Sequence, residues 1–158
     1  MRFLEWLQFS WLGSFVAENL WAYPVLETLH VIGMAFLVGV LGLTNLRVLG
    51  YRPEIPLIGT RQLLPLAWGG FTVNLITGCA LFSSDAVYFF SSWTFRIKIL
   101  LIVLGGINAA IISSRIFSPT APGGADVAVT TETRWIAASS LAFWTAAILA
   151  GRLVAYLP

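Results

Sequence analysis

Residues 23–49, YPVLETLHVIGMAFLVGVLGLTNLRVL, decide the fold. A helix needs about 20 mainly apolar residues to cross the hydrocarbon core of a bilayer, and this stretch exceeds that length with few charges. Its first half nevertheless holds Glu27 and, three residues on, the chain's only histidine, His30. Ionisable groups inside a span are costly, so they mark either a functional site or a pairing that holds helices in register.

Working outward, the stretches 61–82, 93–115 and 135–157 pass the same test of length and apolarity. With 23–49 they make four spans, so the fold class is all-α integral membrane: a four-transmembrane-helix bundle in a single domain, 1–158. Composition agrees, because only 10% of the residues are charged and the mean hydropathy is +0.86, against roughly 25% charged residues in soluble domains. The breaks have local causes in Gly50 and Pro53, in Ser83-Ser84-Asp85, and in the polar linker SPTAPGGADVAVTTET at 118–133. Residues 3–20 alternate Phe3, Trp6, Trp11 and Phe15 with Glu5, Gln8 and Ser10, which predicts an amphipathic helix lying in the membrane interface. Glu5 and Gln8 interrupt what would be the apolar core of a cleavable signal, so the start reads as mature.

A net charge of +2 is too small to argue for nucleic acid, and a single cysteine excludes an intrachain disulfide. Four spans put both termini on one side. Arg47, Arg52, Arg61, Arg115 and Arg134 flank the other side, which the positive-inside rule assigns to the cytoplasm. The expected setting is a bacterial inner membrane, crossed several times, with both termini periplasmic.

At a rise of 1.5 Å per residue, His30 lies about 10 Å in from the outer end of its span and Lys98 about 7 Å in, with Arg152 at a similar depth. Glu27 is one turn from His30 on the same face. Unpaired charges are expensive there, so Glu27 is expected to pair with Lys98 or Arg152. The inner half offers mainly Asn45, Asn74 and Asn108. The structural alternative is that Arg96 and Arg152 snorkel to the interface and Glu27 pairs with a cation only to fix helix register.

Gly33 and Met34 share the His30 face, and Gly39 and Gly42 extend a smooth strip beyond them. Such a strip suits a neighbouring helix, or lets a flat macrocycle approach with His30 as axial ligand of a b-type haem. Bis-histidine ligation within one chain is excluded, and Met34 leaves the same side of the same helix. His30, Met34 and Cys79 are also donors that copper(I) accepts, although Cys79 in LITGCALF reads equally as a small packing residue. Ala138, Ala142, Ala146 and Ala150 recur every four residues as a helix contact. Trp68, Trp93, Trp135 and Tyr156 read as interfacial anchors, with Trp144 packed mid-span. Tyr88, Phe89 and Phe90 lie in an outer loop that covers a site or, as the simpler expectation, rests on lipid. No phosphate-binding glycine loop, paired carboxylate site or nucleophile beside a base stands out, so the residues leave open whether the protein is an enzyme.

The runs YPVLETLHVIGMAFLVGVLGLTNLRVLG, LLPLAWGGFTVNLITGCALF and FRIKILLIVLGGINA together resemble a group of small, uncharacterised four-span bacterial inner-membrane proteins. The order of a histidine ahead of spaced glycines, a Thr-Gly-x-x-Leu and an early lysine carries the resemblance, over about residues 20 to 115. More remotely the chain looks like the membrane domain of copper-resistance protein D and the four-span bacterial protoporphyrinogen oxidase. The latter likeness implies a haem-associated oxidoreductase with His30 as ligand and Lys98 as partner cation; the former implies copper handling. The chain departs from the nearer group in having Asn45 where an Asp is expected and NAAIISS where a second histidine is expected.

The leading expectation is a membrane redox protein that binds haem b, or a quinone, through His30, with Glu27, Gly33, Lys98 and Arg152 around it. The alternatives are a copper-binding or copper-transport protein using His30, Met34 and Cys79, and a structural subunit of a larger membrane complex. Expected partners are the lipid bilayer and further copies or subunits.

Overall fold

The structure, a computed structural model, describes residues 2–51, 53–54, 56–116 and 129–156, the side chain of residue 58 apart. These form eight helices in chain order: α1 Arg2–Gln8, α2 Trp11–Glu18, α3 Ala22–Leu49, α4 Leu57–Arg61, α5 Leu64–Ser84, α6 Ala86–Ser91, α7 Trp93–Ile116 and α8 Thr131–Leu153. No strand occurs among the described residues. Four of the helices, α3, α5, α7 and α8, are long and apolar enough to cross a membrane.

The bundle is built from two antiparallel pairs, α3 with α5 and α7 with α8, joined by α3 against α8. Small residues set the first pair. A Cβ on Gly33 would lie 2.9 Å from the Gly70 carbonyl oxygen, and one on Gly70 would lie 2.6 Å from that of Gly33, so this close approach needs glycine on both sides. Gly33 is therefore a contact with a neighbouring helix, one of the two roles expected for the glycine strip. Gly39 and Gly42 meet nothing within 4 Å and do not continue that contact. Polar clamps hold the other pairs: Asn45 Nδ2 donates to Ser140 Oγ at 3.0 Å between α3 and α8, and Asn108 Nδ2 donates to Ser139 Oγ at 2.8 Å between α7 and α8. In an apolar surrounding such bonds satisfy groups that water does not reach.

On α8 the buried stripe is Ala137, Ser140, Trp144, Ala147 and Ala150, while Ala142 is exposed. The expected contact through Ala138, Ala142, Ala146 and Ala150 is thus corrected. Residues spaced by four drift around a helix of 3.6 residues per turn, so Ala150 is buried, Ala138 and Ala146 are half-buried and Ala142 is turned out. The helix also starts earlier than expected, because Thr130 caps it by accepting from the Thr133 backbone N–H at 3.2 Å. Its expected end at 157, Arg52, and the linker up to residue 128 lie outside the described residues.

Two helices stand where one is expected over residues 3–20. Ser10 ends the first turn pattern and caps α2 by accepting from Gly13 N–H at 3.2 Å. Gly13 and Val16 are buried, and α2 packs on α5 and α3, whereas Phe3, Trp6 and Trp11 remain exposed. With α6 held to α1, where Gln8 Oε1 accepts from Val87 N–H at 3.2 Å, these short helices cap the end of the bundle where α3 and α7 begin.

Candidate functional site

Below that capped end the four long helices diverge around two connected chambers. The upper one, about 480 Å³, lies toward the cap and is lined by Tyr23, Glu27, Asp85, Tyr88 and Arg152 among others. The lower one, about 370 Å³, is mostly apolar and is lined by Phe71, Leu75, Cys79, Ile99 and Trp144 among others. His30, Met34 and Lys98 line both and form the junction between them.

His30 is the best-defined group. Its Nδ1 lies 2.9 Å from Thr77 Oγ1 on α5, and that hydroxyl also lies 2.6 Å from the Val73 carbonyl oxygen. A hydroxyl has one proton. Given to the Val73 carbonyl in the helix turn, it leaves Oγ1 as an acceptor, so His30 Nδ1 is the donor and carries the ring's proton. The neutral imidazole therefore keeps its lone pair on Nε2. Gly78 keeps the ring close to α5, since a Cβ there would lie 3.2 Å from His30 Cε1.

Lys98 runs its stem along Gly151 of α8 and brings Nζ to 6.0 Å from the Phe95 ring centroid. The expected pairing of Glu27 with Lys98 or Arg152 is not formed. Arg115 and Glu132 form an ion pair at 2.8 Å, at the far end of the bundle and exposed. Glu27 and Arg152 are themselves exposed and line the upper chamber. Lys98, half-buried, is left as a cation without a counter-ion.

The loop expected to rest on lipid is helix α6, and it covers the site. Phe89 packs with Phe82 and Phe95 at centroid separations of 6.3 and 5.6 Å, and Phe82 stacks on Phe95 at 5.4 Å. Tyr88 Oη donates to the Val154 carbonyl at 3.0 Å, tying α6 to the end of α8. Phe90 faces out, beneath the Arg96 guanidinium at 5.2 Å, and Tyr88 is exposed in part. Sequence reading missed Thr77 and Gly78 as site residues; their signal was the Thr-Gly step inside an apolar span.

Of the seven expected site residues, six line this cavity: Glu27, His30, Met34, Cys79, Lys98 and Arg152. No cluster of three or more His, Cys, Asp or Glu side chains with metal-binding spacing occurs among the described residues. No protein-family model matches the chain, and neither a curated protein nor a solved structure matches it.

Proposed function

We propose that this chain is a multi-pass redox protein of the bacterial inner membrane that binds a b-type haem through His30 near the periplasmic face and serves electron transfer. The single observation that carries the reading is the proton arrangement at His30: Nδ1–H is engaged by Thr77, and the Nε2 lone pair is left for a ligand. Metal-bound histidines characteristically donate their other ring N–H in this way, which fixes ring orientation and raises ligand basicity. The surroundings fit the group. Lys98 and Arg152 offer cations for haem propionates, and Phe82, Phe89 and Phe95 keep water from the apolar part of the cavity. When bound, haem supplies one-electron exchange.

With one histidine in the chain, a sixth ligand comes from a second copy, from a different side chain, or not at all. The exposed aromatic residues of α1 and α2 support their placement in the membrane interface on the same side as the site. A quinone ring is the other flat occupant this reading admits. Copper binding is a second reading, favoured by Met34 and Cys79 lining the lower chamber together with His30.

The test is an absorption spectrum of the detergent-purified protein, oxidised and then reduced, with elemental analysis of the same sample. A Soret band that His30→Ala removes supports haem. A colourless, folded protein overturns it, and copper that is lost on both His30→Ala and Met34→Leu would replace it.

A further inference from the structure

The lower chamber is open on its side. One wall is a single face of α5, with Phe71, Leu75 and Cys79 four residues apart, and the opposite wall is a face of α7 bearing Ile99 and Ile102. These two helices do not form a packed pair; they meet through Phe82 and Phe95 near the cap. Leu75 is 55% and Ile99 44% exposed, so the seam between the helices faces outward within their apolar lengths. In a membrane that opening meets hydrocarbon, not water.

Lys98 stands at the head of this chamber and, among the described residues, is the one charged side chain lining it. Glu27 and Asp85 line the upper chamber instead, and no described carboxylate lies within ion-pair distance of Lys98. A cation at this depth is costly unless an anion comes to it. Below Lys98 the walls are mainly apolar for about 12 Å, the eight steps of α5 from Phe71 to Cys79 at 1.5 Å each, and the polar side chain among them, Asn74, donates to its own helix at the Gly70 carbonyl. The space thus asks for an anion at one end and a hydrocarbon at the other.

We propose that the lower chamber binds a single-chain carboxylate amphiphile, drawn sideways from the bilayer between α5 and α7, with the carboxylate on Lys98 Nζ and the chain along Phe71, Leu75 and Ile99. This goes beyond the haem reading and does not depend on it, although both readings use Lys98, so the two ligands compete for that cation. Charge complementarity selects the head, because a neutral lipid leaves the ammonium uncompensated, and a chamber of about 370 Å³ leaves room for one chain.

The test uses the full chain, purified in detergent from cells starved of haem precursor, titrated with an undecanoic acid carrying a dansyl group at its far end and with the methyl ester of the same probe. The expected result is saturable binding of the acid, at least ten-fold weaker binding of the ester, and a similar loss in Lys98→Met that Lys98→Arg restores. Leu75→Trp, which narrows the seam, is expected to weaken acid binding several-fold. Equal binding of acid and ester overturns the proposal, as does acid binding unchanged in Lys98→Met. Where Lys98→Met does not fold, the acid-to-ester ratio on the native chain decides. The Soret region of protein from haem-fed cells is read separately: acid-selective binding without a Soret band removes only the haem reading, and a Soret band without acid selectivity removes only this one.

Discussion

Thr77 fixes the protons of His30: its hydroxyl gives its one proton to the Val73 carbonyl at 2.6 Å and accepts from His30 Nδ1 at 2.9 Å. The contact joins α3 to α5 and decides which ring nitrogen is free.

Replacing Thr77 by valine keeps the shape and removes the acceptor. Cofactor affinity at His30 is expected to fall about 10- to 100-fold, the usual effect of losing such an outer partner, while Thr77→Ser retains most of it. Titration of bound cofactor in the two variants checks this, and equal affinities in both would show that Thr77 does not orient the ring.

The Gly33–Gly70 approach predicts a stability effect at a distance from the chambers. Gly70→Ala sets a methyl 2.6 Å from the Gly33 carbonyl oxygen and is expected to cost about 1–3 kcal/mol, as overpacking does. Gly39→Ala and Gly42→Ala, with open space around them, are expected to be neutral. Thermal unfolding in detergent separates the two outcomes.

Asn45 and Ser140 form the buried clamp between α3 and α8. A double-mutant cycle of Asn45→Ala and Ser140→Ala is expected to return a coupling of about 0.6 kcal/mol, with an upper bound near 1.7, the range measured for hydrogen bonds between membrane helices. A coupling near zero would mean that α3 and α8 are held by the packing of Leu37 and Val40 on Trp144.

The Arg115–Glu132 ion pair is exposed on both sides. Glu132→Gln is expected to leave the unfolding temperature unchanged, since solvent and salt screen such pairs. A clear drop would show that this contact helps to fix the start of α8.

The four spans were legible because their signal is local: length and apolarity need no partner to be read. Six of the seven expected site residues line the cavity, and the sequence could single them out for the related reason that Glu27, His30, Lys98 and Arg152 break an apolar pattern, and Met34 and Cys79 have distinctive side chains. Gly33 packs on Gly70 and lines neither chamber, which its sequence left undecided because a glycine looks alike whether a helix or a ligand lies against it. The alanine stripe of α8 failed on geometry, as a spacing of four drifts off the packed face. The covering role of α6 was hidden because Phe89 is apolar in either setting, and only the positions of Phe82 and Phe95 decide that it turns inward.

By itself, then, the sequence determined that this chain is helical, with four segments fit to cross a bilayer and ionisable groups near one end of them. Those properties follow from hydrophobicity and helical rise, which act along the chain. Only the tertiary structure decided what the groups do to one another: that Glu27 stays apart from Lys98, that Thr77 sets the His30 tautomer, and that α5 and α7 leave a seam between them. Those are distances between residues far apart in sequence, set by which helix faces pack, and no local pattern carries them.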